Sequence, residues 1–312
     1  MRASLKRLIC IFVLSFLPNS VLATPVTLIE LDWASQRVLT HALANILEDQ
    51  GIDTDIVVYS SPEQWLQLST GRADIQIEVW EGTMGNKFMS HVKRGRMQVG
   101  GTHHATTRED WWYPQYSEAL CPGLPDWKAL QKCASVFSPD GKGKGIYYSG
   151  PWEKPDRARI RALELDFEVV TLETSDELNG LIHRYIESRV PFLVFNWTPN
   201  WVEAIYEGSF VEFPDFTEEC QSDAEWGYNK KHIWDCGNPK GGWLKSVVSN
   251  DLAIKSPCAL NIVRHFKLSN SDLALAASLL DAHTLTIEEA AQVWQIGNKE
   301  RIDAIIKEAN CQ

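Results

Sequence analysis

The sequence predicts an α/β protein made of two lobes around a cleft, and three observations predict it. Segments of strand and helix character alternate in two separate blocks, over residues 26–80 and 144–197. Each block ends on an apolar strand that delivers a tryptophan, Trp80 in the first and Trp197 in the second. The chain has 312 residues, 44% of them hydrophobic and 23% charged, which suits two lobes of roughly 100–150 residues each rather than a disordered chain.

The first block opens with a β-type run at 26–31. A helix follows from 34 to about 49, because Val38, Leu39, Ala42, Leu43, Ile46 and Leu47 recur at helical spacing. Gly51 stops it, at the position where a left-handed residue closes a helix. Residues 52–59 form a second strand, 61–71 a helix through Trp65 and Leu68, and 74–80 an alternating third strand. Strand–helix alternation of this kind builds a mostly parallel sheet.

The second block repeats the order: strand 144–148, helix 156–165, strand 167–172, helix 175–188 and strand 191–195 running on to Asn196-Trp197. The glycine-rich stretch 141–145 lacks P-loop spacing and is a turn before a strand. Residues 270–312 are helical, with Leu273, Leu275, Leu279 and Leu280 followed by Ile287, Ala290, Ala291, Val293 and Trp294. The expected division is 1–23 as a signal segment, 24–115 with 217–312 as one lobe, and 116–216 as the other.

Residues 1–23 have the layout of a secretory signal. Arg2, Lys6 and Arg7 precede a ten-residue apolar run, Pro18 breaks it, and Val21-Leu22-Ala23 supplies a small-residue cleavage pattern. A membrane anchor needs about 20 apolar residues, twice this run. No Cys follows the cleavage site, so the expectation is a soluble periplasmic protein rather than a lipid-anchored one. Six cysteines then remain, Cys121, Cys133, Cys220, Cys236, Cys258 and Cys311, an even number for an oxidising compartment. Fifteen pairings are possible in principle. Short loops favour Cys121–Cys133 and Cys220–Cys236, which leaves Cys258–Cys311.

Several function classes drop out. The net charge is −11, and −14 once the three basic residues of 1–23 are removed, so nucleic acid and anionic membrane are poor partners. No G-x-S-x-G elbow, P-loop, H-E-x-x-H or C-x-x-C occurs, and no nucleophile–base–orienter set stands out. The expectation is no catalytic residue, no metal and no cofactor. Glu78 and Glu81 could form an acid/base pair, but two acids three apart at a strand end are more often a solvated rim.

The thirteen tryptophans carry the argument instead. Trp80 and Trp197 end apolar strands, and ligands of open parallel sheets bind beyond such carboxyl ends. Trp33 follows the first strand, Trp152 follows Tyr148-Ser149-Gly150-Pro151, and Trp111-Trp112-Tyr113-Pro114 lies where one block passes to the next. One such ring alone would more often be packing. Trp33, Trp80, Trp111, Trp152 and Trp197 together define a candidate cleft, while Trp65, Trp127, Trp201, Trp226, Trp234, Trp243 and Trp294 are assigned to structure. An aromatic box with few basic residues suits a quaternary ammonium, which cannot donate N–H bonds and is held by ring faces at roughly 1–2 kcal/mol each. Neutral rings with no adjacent His imply binding that is insensitive to pH between about 6 and 8.

These segments resemble the periplasmic glycine betaine/choline-type substrate-binding proteins of ABC importers. The resemblance rests on Phe195-Asn196-Trp197-Thr198-Pro199-Asn200-Trp201-Val202, Val79-Trp80-Glu81-Gly82-Thr83 and Ser149-Gly150-Pro151-Trp152. Trp33-Ala34-Ser35 with Ile46-Leu47-Glu48 is similar to the choline-type branch. It implies a venus-flytrap fold with a cleft between lobes, a non-enzymatic role, and partnership with a membrane permease and its ATPase as a monomer. It also implies a cage from the residues matching Trp80 and Trp197, joined by Trp152 in some members and by Trp33 and the Trp111 region in choline-type ones. Choline-selective members carry an Asp two residues after the first Trp. Ser35 stands there, which tilts the expectation towards a betaine-like or N-oxide ligand, with choline, carnitine, trimethylamine N-oxide and dimethylsulfoniopropionate as alternatives. A secreted carbohydrate-binding protein or enzyme is the competing class, since sugar faces also stack on Trp.

Overall fold

The computed structural model describes residues 24–152, 154–281 and 285–311. The signal segment expected at 1–23 lies outside them. From the N-terminus, β1 (Val26–Glu30), α1 (Ala34–Asp49), β2 (Thr54–Val58), α2 (Gln64–Ser69), β3 (Ile75–Trp80) and α3 (Glu81–Lys93) follow one another. Here β1 is flanked by β2 and β3 in parallel. α1 buries one face that includes Val38, Leu39, Ala42, Leu43, Ile46 and Leu47, the residues whose spacing predicted it.

Strand β4 (Gln98–Pro114) is 17 residues long and has no counterpart in the sequence reading. It is followed by β5 (Pro122–Pro125), α4 (Leu130–Cys133), β6 (Gly145–Ser149), α5 (Asp156–Ala162), β7 (Phe167–Thr171), α6 (Ser175–Glu187), β8 (Leu193–Thr198), α7 (Val202–Ile205) and β9 (Gly208–Phe210). The chain then returns through β10 (Gly242–Val248) to five helices: α8 (Leu252–Lys255), α9 (Pro257–His265), α10 (Asn270–Asp281), α11 (Ile287–Gly297) and α12 (Lys299–Ala309). α1 packs on α10 and α11, which covers one face of the first parallel set.

The strands form one continuous sheet in the order β2-β1-β3-β10-β4-β8-β6-β7, with β9 also on β4. Two parallel sets, β2-β1-β3 and β8-β6-β7, are joined through antiparallel β10 and β4. β4 links the two halves. Residues 98–107 pair with β10, and 108–114 pair with β8 and β9. The carboxyl ends of β3 and β8 are therefore brought to a common region, and the tryptophans are placed there.

Three disulfides join Cys121 to Cys133 and Cys220 to Cys236, the two pairs that short loops favoured, and Cys258 to Cys311, the pair left over. Among the described residues no helix is long and apolar enough to cross a membrane.

Candidate functional site

The site forms where three strands end. Trp33 caps α1 after β1, and Trp80 ends β3 and caps α3 in extended conformation. Trp197 is the fifth residue of β8, and Phe195, two before it, shares its face by the period of two in a strand. Trp152 follows β6 through Gly150. A Cβ at Gly150 would fall 2.1 Å from the Trp152 ring, so only glycine lets that ring fold back over the strand end.

These rings and Thr83, Met84 and Glu109 line a small cavity that opens to solvent. Trp152 stands edge-on to both halves, with ring centroids 6.5 Å from Trp33 at 77° and 5.4 Å from Trp197 at 80°. Phe195 lies 5.6 Å from both Trp152 and Trp197. Walls at such angles present faces to a compact group from several directions.

Four of the five expected tryptophans, Trp33, Trp80, Trp152 and Trp197, thus come together around one cavity. Trp111 does not, and the expectation for it is corrected. It is fully buried in β4, stacked 4.0 Å from Tyr147 and edge-on to Phe213, with its indole N–H donated to Asp156. Its segment is the middle of a sheet rather than a connection, so the ring packs into the core. Phe195 stands among the rings instead, and the alternation Phe195-Asn196-Trp197 was the signal for it.

Two carboxylates shape the electrostatics. Glu78, whose sequence setting suggested a solvated rim, is fully buried. Its Oε2 accepts from Trp33 Nε1 at 2.7 Å, Ser35 Oγ at 3.0 Å and Trp80 Nε1 at 3.1 Å. Ser35 is thus committed behind the rings and not offered to a ligand. Glu109, from β4, lines the cavity itself. It is buried and accepts from Thr83 Oγ1 at 2.7 Å and Thr83 N at 3.2 Å. Its carboxylate packs against Gly82, where a Cβ would meet it at 2.6 Å.

Burial pushes Glu78 up to about 7 against three hydrogen bonds that hold it down. Burial likewise raises Glu109 to about 7, opposed by the Thr83 bonds and by the nearby Lys154 charge. Lys154 sits over the Phe195 and Trp152 rings, and desolvation drops it well below the ordinary lysine range. A cage of neutral rings alone would be indifferent to pH, and these two acids remove that expectation. Nothing in the local sequence marked Glu109, which is one acid in the run Arg108-Glu109-Asp110.

β4 is held at this point by a buried anchor. Arg159 from α5 bonds Asp110 at 3.2 Å and the Cys236 carbonyl at 2.8 Å, and Asn238 bonds back to the Glu109 carbonyl. At the rim, Asp32 beside Trp33 accepts from the Ser175 backbone N–H at 2.8 Å and its hydroxyl at 3.1 Å, at the first turn of α6. This N-terminal turn suits a carboxylate. Among the described residues no cluster of His, Cys, Asp and Glu could hold a metal ion.

Residues 24–296 match OpuAC, the substrate binding domain of the ABC-type glycine betaine transport system. The chain belongs to this family. Within it, the chain is 31% identical over 285 residues to the trimethylamine N-oxide-binding protein of Pelagibacter ubique (strain HTCC1062), covering 88% of each. Its fold is that of an ABC-transporter choline binding protein in complex with choline, at TM-score 0.72, 18% identity and 91% of both chains. It is also that of lactococcal OpuAC closed on glycine betaine, at TM-score 0.67 and 16% identity, over 90% of this chain and 99% of that one. The chain is accordingly a substrate-binding component of a glycine betaine-type ABC transport system, with the mixed α/β fold of two-lobed binding proteins.

Proposed function

We propose that the protein captures trimethylamine N-oxide in the periplasm and delivers it to an ABC permease and its ATPase. One observation carries the choice of ligand. Besides Thr83, the polar side chain that lines the ring cavity is Glu109, a buried acid with its pKa at about 7. In its protonated form it donates a hydrogen bond to the N-oxide oxygen while Trp33, Trp80, Trp152 and Trp197 enclose the methylated nitrogen. Glycine betaine, the second candidate, brings a carboxylate that would face the buried Glu109, and Lys154, the cation over Phe195 and Trp152, is pushed by desolvation towards its neutral form. Choline needs an acceptor near Trp33, and Ser35 is already bonded to Glu78. The relationship to a protein named for trimethylamine N-oxide binding supports this choice of ligand.

In this reading residues 24–115 and 217–312 form one lobe and 116–216 the other, and they close by a hinge on the ligand. The Asp32–Ser175 contact sits where such closure would be latched. The chain is exported after cleavage near Ala23, acts as a monomer and performs no chemistry. A sugar-binding role is disfavoured because pyranose recognition needs a ring of hydrogen-bonding groups that these walls lack.

Calorimetric titration of residues 24–312 with trimethylamine N-oxide, glycine betaine and choline tests the proposal. The expected order of affinity is N-oxide first. Tighter binding of glycine betaine, with no loss of N-oxide affinity in Glu109→Ala, would overturn it.

A further inference from the structure

Glu78 has more than one feature that hydrogen bonding to two rings does not explain. It is wholly buried, and its Oε2 serves three donors while its Oε1 is buried without a hydrogen-bond partner. The polar layer behind it leaves the carboxylate unneutralised. Gln76 Nε2 donates to Gln64 Oε1 and to the Glu78 main-chain carbonyl, and Gln64 Nε2 turns to the Ser61 carbonyl and Met84 Sδ. A neutral amide oxygen would suffice to orient two indoles. A buried carboxylate with one bare oxygen is costly unless it takes up a proton or a positive charge comes close to it, and an onium head in the cage would favour the ionised form.

The two indoles it holds are cage walls. Period two along β3 puts Gln76, Glu78 and Trp80 on one face, so the carboxylate lies directly behind the strand end that presents Trp80. Trp33 arrives from the adjacent strand end and gives its N–H to the same oxygen. An indole whose N–H is drawn to a carboxylate has a more electron-rich ring, because hydrogen-bonded groups polarise one another in a low dielectric. Both effects act in one direction. They favour a positive group in the cage over an apolar group of the same shape.

We propose that Glu78 is the buried counter-charge of the cage, positioning Trp33 and Trp80 and making the site select a cationic methylated head over its neutral carbon isostere. This rests on the reading of the cavity as an onium site and deepens it by assigning the origin of its selectivity. Glu109, by contrast, faces the ligand's polar end.

Fluorescence titration of residues 24–312 with trimethylamine N-oxide and with tert-butanol, its neutral isostere, separates charge from shape. Glu78→Gln keeps an oxygen acceptor for both indoles and removes the charge. It should cut the preference for the N-oxide over tert-butanol by about tenfold or more, 1.4 kcal/mol on the equilibrium scale, with tert-butanol affinity unchanged. Glu78→Asp keeps the charge and shortens its reach, so both ligands should weaken together and the preference should survive. This second variant carries the test if Glu78→Gln fails to fold. An unchanged preference in Glu78→Gln, equal weakening of both ligands in it, or a lost preference in Glu78→Asp would overturn the proposal. A wild-type protein that binds neither the N-oxide nor another methylated onium would overturn the onium reading itself.

Discussion

Removing the Trp197 ring is the sharpest perturbation of the cage. Trp197 is only 7% exposed and stands 5.4 Å from Trp152 and 5.6 Å from Phe195, so it is both a wall of the cavity and part of its frame. Trp197→Ala deletes one cation–π face and admits water to a site that the other rings would otherwise keep dry. Lost ring attraction and lost apolar burial together cost about 2–3 kcal/mol of binding. That corresponds to a loss of roughly thirty- to one-hundred-and-fiftyfold in affinity. The two aromatic contacts also contribute to folding, at about 0.5–1.5 kcal/mol each, so a lower melting temperature accompanies the weaker binding. Trp197→Phe retains a ring face with a weaker quadrupole and should lose far less affinity. Calorimetric titration of wild type and both variants, with folding checked by circular dichroism, is the assay. Equal losses for Ala and Phe would mean that shape or the indole N–H matters rather than the ring face. No loss for Ala would remove Trp197 from the site.

Four further outcomes follow from the same geometry. Two opposed contributions should meet near pH 7 in the N-oxide affinity, a gain as Glu78 ionises and a loss as Glu109 ionises, and Glu109→Gln, which keeps a donor and does not titrate, should remove the loss above pH 7 in pH-dependent calorimetry. The same raised pKa means that Glu109 contributes stability fully below pH 4.5 and loses it as pH rises towards 7, so Glu109→Gln should show a flatter melting temperature over that window. Asp32→Ala removes both bonds to Ser175 and should speed ligand release, read by stopped-flow fluorescence, with little change in melting temperature. Trp294→Ala, on α11 and fully buried with its N–H on the Asp272 carbonyl of α10, should cost about 3–5 kcal/mol of stability and leave the affinity of the folded protein unchanged.

What the sequence disclosed and what it withheld have physical reasons. α1 and β3 were legible because their apolar periodicity is local. The Trp33, Trp80, Trp152 and Trp197 positions were legible because each follows a strand, a place defined by topology rather than by contact. α3 was not, because Gly82, Thr83 and Gly85 in its first turns are weak helix formers. The packing tolerates Gly85 because Trp243 closes on it, with a ring atom 3.2 Å from where a Cβ would stand. β4 was missed because its 98–107 half alternates around glycines and histidines and its 108–114 half is buried on both faces, so neither period shows. That omission misplaced Trp111. The acids were the hardest to read. Glu78 and Glu109 owe their character to burial and to partners 26 to 45 residues away, and a sequence of 41 acids gives no sign of which two are desolvated.

A crystal structure of residues 24–312 with trimethylamine N-oxide would test the central claim most directly. It should place the methylated nitrogen among the faces of Trp33, Trp80, Trp152 and Trp197, with the oxygen within hydrogen-bond distance of Glu109 and Glu78 still behind the indoles. A ligand bound elsewhere, or one whose oxygen points away from Glu109, would contradict it.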